Sequence, residues 1–160
     1  MVNDWNGEVV SIQVAEKSGS PMIVVKQAIA VMGRGLEGDR CFRQGGTDSD
    51  SSDPGRDVTL IESEAIEALE RDLQIKLAAK DSRRNIVTRG VPLNHLVGRK
   101  FMVGDVSLRG IRLCEPCSYL ENLTIEGVKN GLVHRGGLRA QILNSGTIRI
   151  GDRIKPDLHD

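Results

Sequence analysis

The sequence predicts a mainly β protein: a closed or nearly closed β-barrel of about eight short strands with a few short α-helices. Three observations lead there. Segments rich in Val, Ile, Leu and Thr recur along the 160 residues, punctuated by turns that draw on 18 glycines. Only one stretch has a clear helical period. Many strands with few helices, lastly, remove their open edges by closing on themselves.

Taken in order, residues 7–16 (GEVVSIQVAE) and 22–31 (MIVVKQAIAV) are rich in β-branched residues and partly alternate, as half-buried strands do. Residues 33–38 (GRGLEG) satisfy the dinucleotide fingerprint literally, yet run into DRCFRQGG, which opens no helix, so these glycines are expected to make a turn. Residues 43–56 (RQGGTDSDSSDPGR) carry no apolar side chain except proline and read as a mobile polar loop. Asp48, Asp50 and Ser52 imitate the start of a calcium loop, but Asp53 and Thr59 stand where Gly and Glu are needed.

Residues 57–61 (DVTLI) are the next strand, followed by the helix in 62–73 (ESEAIEALERDL). There Ile66, Leu69 and Leu73 form an apolar stripe, Glu62 and Glu64 favour the N-terminus, and Glu67 and Arg71 pair at i,i+4. This helix is expected to lie across one face or mouth of the barrel. Strands follow at 85–89 (NIVTR), 100–104 (KFMVG), 106–114 (VSLRGIRLC), 138–143 (LRAQIL) and 147–154 (TIRIGDRI). The length suits one domain spanning residues 1–160.

Composition narrows the function. Apolar residues make up 39%, and two Phe, one Trp and one Tyr leave little for stacking bases. With a net charge of zero as well, a nucleic-acid role is disfavoured. No apolar run approaches the roughly 18 residues of a membrane span, and the N-terminus has no secretory pattern, so a cytoplasmic location away from membranes is expected. The charge is unevenly spread: residues 1–80 hold 9 Lys and Arg against 14 Asp and Glu, and residues 81–160 hold 13 against 8. Either the halves pair with each other, or the basic half meets an anion.

Three cysteines are too few for a disulfide framework, and two of them form the segment RLCEPCSYLE. Cys114 ends a strand. Pro116 suits a first helical position, which places Cys117 in the first turn, where the dipole and unsatisfied N–H groups favour a thiolate. Cys117 is therefore the stronger candidate for a nucleophile or metal ligand. Other readings stay open. A structural zinc site would need its second pair of ligands from His134, His95 or Cys41; a thioredoxin-type pair lacks its βαβ unit; and buried cysteines can simply pack. Arg83, Arg84 and Asn85 in SRRNIVTRG, with His134, Arg135 and Arg139 in VHRGGLRAQ, offer guanidinium forks suited to phosphate if they converge. Asp39 and Arg40 are read as polar groups of the barrel mouth.

Together GLEGDR, VTLIESEAI, SRRNIVTRGVPLNHLVGRKFMVGDVSL, CEPCSYLE and GLRAQILNSGTIRIGDRI, in that order, resemble a stand-alone MOSC domain, the module also found at the C-terminus of molybdenum cofactor sulfurases. The resemblance covers residues 7–155. It implies a barrel similar to the β-barrel domain of pyruvate kinase, and a reactive cysteine falling on Cys117, with Cys114 beside it. That cysteine would carry persulfide sulfur or ligate molybdenum, and the implied cofactor is the molybdenum cofactor, molybdopterin. By the same resemblance Arg84 and Asn85 shape the pocket, with Gly38, Asp39, Arg40 and the HRGGLR segment near it. The implied partners are a cysteine desulfurase or other sulfur donor and, as for relatives acting on N-hydroxylated bases, a reductase. The implied activities are sulfur transfer or a part in a molybdenum-dependent reductase. Cys41 stands where many relatives have His. The rival from another class is a non-catalytic, zinc-stabilised β-barrel interaction module.

Overall fold

The computed structural model describes residues 4–44 and 53–159. The elements run β1 (Gly7–Val14), β2 (Ile23–Val25), β3 (Gln27–Val31), β4 (Gly35–Leu36), β5 (Val58–Glu62), α1 (Ser63–Leu73), β6 (Ile86–Arg89), β7 (Lys100–Val103), β8 (Val106–Leu113), α2 (Ser118–Leu123), α3 (Val128–Gly131), β9 (Leu138–Ile142), β10 (Gly146–Arg149) and β11 (Arg153–Pro156).

Seven strands close into a barrel in the order β1, β11, β7, β8, β9, β5, β6 and back to β1. An odd ring cannot alternate direction all the way round, so one neighbouring pair must run parallel. That pair is β5 and β6, with Leu60 opposite Ile86. A parallel pair needs a long crossover, and α1 forms part of it. The ring is sealed where Gly7 of β1 faces Ile154 of β11. Beside it, β10, β3 and β4 form a small separate sheet.

Two predicted strands are in fact pairs. Residues 22–31 break at Lys26, so that β2 pairs with β1 while β3 joins β10 and β4. Residues 147–154 turn at Ile150–Asp152, where the Asp152 amide donates to Arg149 O at 3.1 Å, and β10 and β11 enter different sheets. The glycines of residues 33–38 form a turn and the two-residue β4, not a phosphate-binding helix start.

Alternation along the barrel strands sorts side chains into two cores. Val9, Ile12, Leu60, Ile86, Phe101, Leu108 and Leu138 fill the interior, and Ala28, Ala30, Leu36 and Ile148 of the small sheet join them. The outward Ile61 and Val87 instead meet Ala65 and Leu69 of α1, Leu120 of α2, and Val128 and Leu132 of the α3 region. Helix α1 thus lies on the outer wall. It buries Ala65, Ala68 and Leu69, whereas Leu73 of the expected stripe is exposed. Small residues let the helix axis approach the wall, and the larger Leu73 falls beyond its edge.

Of the polar segment 43–56, residues 45–52 lie outside the described residues, as do Asp48, Asp50 and Ser52 of the calcium-like pattern. Its two ends are tied down. Arg43 donates to the Asp57 carboxylate at 2.7 Å and to Asp53 O at 2.6 Å, and Pro54–Arg56 forms a 3₁₀ turn capped by Asp53. The two halves of the chain do pair: Asp53 with Arg112, Glu67 with Arg89 and Asp72 with Arg135.

Candidate functional site

The site begins where β8 runs out. The Cys114 amide continues the ladder by donating to Gly137 O at 2.7 Å, and the residue is only 2% exposed. Cys117, three residues on, is exposed. Its backbone is extended, with φ −135° and ψ 171°, and it is the N-cap of α2; its carbonyl accepts from the Glu121 amide at 3.2 Å. The expected helix start is therefore displaced. Pro116 lies outside the helix with its ring against Gly136, and a Cβ at Gly136 would crowd that ring and the Cys114 carbonyl. Gly137, at φ 116°, faces the Leu60 carbonyl closely enough that a side chain would collide with it. These two glycines admit the approach of the protein's own backbone, which holds the cysteine segment against the barrel rim.

Arg84 completes that clamp from below. Its Nε donates to Gly136 O at 2.8 Å and its Nη2 to Cys114 O at 3.2 Å, while Nη1 has no hydrogen-bond partner among the described residues. The guanidinium is buried. Burial pushes its pKa down; Cys114 and Cys117 oppose this, and Arg139 and Arg40 add to it. One buried cation thus lies within electrostatic reach of both thiols and two further arginines. The side chain of Arg139, on β9, makes no hydrogen bond or ion pair among the described residues, but its charge acts on the Asp53 carboxylate.

On the other side Arg40 donates to Asp39 Oδ1 at 3.2 Å, Met22 Sδ at 3.3 Å and Arg83 O at 3.3 Å. Buried Asp39 also accepts from the amides of Ala15 and Cys41, which fixes the turn that presents Arg40. Arg83 adopts φ 61° and donates through Nη1 to Ser20 O at 2.9 Å. Its Nη2 is buried without a partner.

Not every expected residue faces this cluster. Asn85 ties strands together: its Oδ1 accepts from the Thr59 amide and hydroxyl, and its Nδ2 donates to Gln13 O. His134 folds back on the cysteine segment, its ring against the Glu115 carboxylate at 3.0 Å, and it is exposed. Arg135 points to the helices, donating to Gly131 O and Asp72. Arg83, expected among the guanidinium forks, reaches Ser20 rather than the cysteine segment, and Gln13, which the sequence did not single out, is fully buried with its Nε2 donating to Arg84 O at 2.6 Å. The signal for Gln13 was a polar side chain inside the otherwise apolar pattern of β1.

Among the described residues no group of three or more His, Cys, Asp or Glu side chains could hold a metal ion. The four-ligand zinc site thus lacks its second pair among them.

The MOSC domain family model matches residues 47–155, the greater part of the chain and all of the cysteine segment. The chain belongs to the MOSC domain family. As a MOSC domain it has the expected fold. It superposes on the YUAD protein from Bacillus subtilis with TM-score 0.75 at 14% identity, covering 94% of this chain and 96% of that one. It matches YiiM from Geobacillus stearothermophilus with TM-score 0.70 at 15% identity, over 94% and 75% of the two chains. For YiiM from Escherichia coli the figures are 0.65, 17%, 96% and 69%. No curated protein sequence matches the chain. The MOSC barrel thus brings Cys114, Cys117, Arg84, Arg40, Asp39 and Arg139 to one rim, and sets His134 at its margin. Among the described residues none of its helices is long and apolar enough to cross a membrane.

Proposed function

We propose that this MOSC domain protein carries sulfur as a persulfide on Cys117 and binds the molybdenum cofactor, molybdopterin, in the arginine-lined mouth beside it. The observation that supports the reading is one exposed thiol, Cys117, at the N-cap of α2, in a segment that the buried Arg84 ties to the rim through Cys114 O and Gly136 O. The remaining residues fit a ligand that combines a sulfur-rich metal centre with an anionic tail. A soft thiolate suits the first, and the unpartnered Nη2 of Arg83 with the guanidinium groups of Arg84 and Arg139 suits the second. When bound, the cofactor would supply a thiophilic molybdenum centre.

In the carrier step the Cys117 thiol gives its proton to solvent, and Sγ attacks the outer sulfur of a donor persulfide. The new S–S bond forms at Cys117 as the donor's S–S bond breaks, and the donor leaves as a thiolate. No net oxidation occurs. A cysteine desulfurase is the class of protein that presents such a persulfide. Arg84 holds the Cys114 carbonyl, so Cys114 positions the segment from inside the wall.

The test is transfer of labelled sulfur from a desulfurase to the chain, read by mass spectrometry as a reductant-sensitive gain of one sulfur on a Cys117 peptide. Cys117→Ser is expected to accept none and Cys114→Ser to keep most of the capacity. Equal labelling of wild type and Cys117→Ser would sink the carrier role.

A further inference from the structure

The sheet of β10, β3 and β4 stands outside the closed ring, and only one of its faces is covered. Ala28 and Ala30 of β3, Ile148 of β10 and Leu36 of β4 point inward and join the barrel core. The residues between them point outward by the alternation of a strand. Register sets these in rows: Ile29 stands opposite Thr147, and Gln27 opposite Arg149. On the other side of β3 the Glu37 amide donates to Ile29 O at 2.9 Å, so Glu37 prolongs β4 beside Ile29. Ile29 is 44% exposed, Met32 at the end of β3 is 59% exposed, and Ile150, which follows Arg149, is 44% exposed. The Gly151 amide donates to Val9 O at 2.8 Å and so brings the exposed Val10 alongside Ile150. Single exposed apolar residues need no explanation, but a contiguous group of them marks a contact surface. Its two flanks carry opposite charges, Arg149 on the β10 side and Glu37 on the β4 side. Both side chains are exposed, and neither makes a hydrogen bond or ion pair among the described residues.

We propose that the outer face of the β10–β3–β4 sheet is the contact between two copies of this chain, related by a two-fold axis that runs along β3. Such an axis lays Ile29 on its own counterpart and exchanges the β10 flank for the β4 flank. Arg149 of each copy then faces the Glu37 flank of the other. The two side chains differ by one row along the strand, roughly 7 Å, a step that an arginine spans. A second copy is the occupant because the face is its own complement: an apolar centre between one free cation and one free anion, matched to itself by the two-fold. Two sheets packed face to face with nearly aligned strands is an ordinary arrangement. The contact is independent of the sulfur-carrier reading, since none of Cys41, Cys114 and Cys117 lies on these three strands.

The experiment is analytical ultracentrifugation of the full chain over a range of protein and salt concentrations. Wild type is expected to sediment as a dimer that dissociates on dilution, and more readily as salt rises. Ile29→Asp should weaken association by about tenfold or more. Arg149→Glu and Glu37→Arg should each weaken it, because each sets like charges face to face. The double variant Arg149→Glu/Glu37→Arg, which exchanges the two charges, should dimerise again. Ile125→Asp, on the exposed turn after α2, should leave association unchanged, as should Cys117→Ser. Circular dichroism checks each fold, and recovery in the double variant excludes misfolding as the cause of loss in the single ones. A wild type that stays monomeric throughout overturns the proposal and leaves the face to a different protein. Dimerisation of Ile29→Asp equal to wild type overturns it by placing the contact elsewhere, and a double variant that fails to recover overturns the two-fold pairing of Arg149 with Glu37.

Discussion

Asp53 shows how one side chain fixes an edge of the site. Its carboxylate takes both Nη groups of Arg112, at 3.1 and 2.8 Å, and caps the following turn through the Gly55 amide. The hydrogen bond from Arg112 lowers its pKa from 3.8 to about 2, with the Gly55 amide helping against partial burial. Because the folded value lies below the unfolded one, the stabilisation is complete above the ordinary carboxylate range and is lost as pH falls from about 4 towards about 2. Asp53→Asn keeps the cap and removes the charge. Its urea midpoint is expected to lie below wild type at a constant interval above pH about 5 and to converge on it near pH about 2. A gap unchanged down to the lowest pH would mean that the bond to Arg112 contributes nothing ionic. Adjacent residues at this scale can have opposite fates: Arg83 and Arg84 reach the rim, while Asn85 turns to Thr59 and Gln13.

At the scale of elements, α1 lies on the wall because Leu69, fully buried, sits between Ile61 and Val87 on one side and Leu132 on the other. Leu69→Ala is expected to cost about 2–5 kcal/mol in a urea melt, and Leu73→Ala, exposed at the helix end, well under about 1 kcal/mol. The existence of this helix was legible from its period, but its buried face was not, since the period weights Ile66 and Leu73 above the alanines that make the closest approach. The strands show the same division. Residues 22–31 and 147–154 read as strands and are strands, yet each divides between two sheets, because partner choice depends on residues far away in the chain. The Gly151–Asp152 turn was a local cue in the second case; nothing comparable marks Lys26. For the site, CEPC and SRRN stood out as chemistry-bearing segments. That Pro116 lies outside α2, and that Arg83 rather than Asn85 carries the free donor, depended on contacts with Gly136, Ser20 and Thr59 that only the closed barrel creates.

For the molecule as a whole, the ring is closed by its first and last strands and by β5 beside β9, pairings of large sequence separation that cannot form until much of the chain is ordered. The rim cluster is assembled only by that closure, since its residues come from four separate parts of the chain. The antiparallel seam of β1 and β11 sets Gly7 opposite Ile154 and Glu8 opposite Arg153. The beginning and the end of the barrel are therefore neighbours in space, and the order in which the strands are synthesised is not imposed by the architecture. A short Gly-Ser bridge could join the two ends and new ends be cut between Asp105 and Val106, at the turn joining β7 to β8. The permuted chain is expected to unfold in one cooperative transition and to keep Cys117 reactive towards a thiol reagent. Loss of cooperativity would show that the seam must be made last. Success would make this barrel a cassette that another protein could carry within a single surface loop.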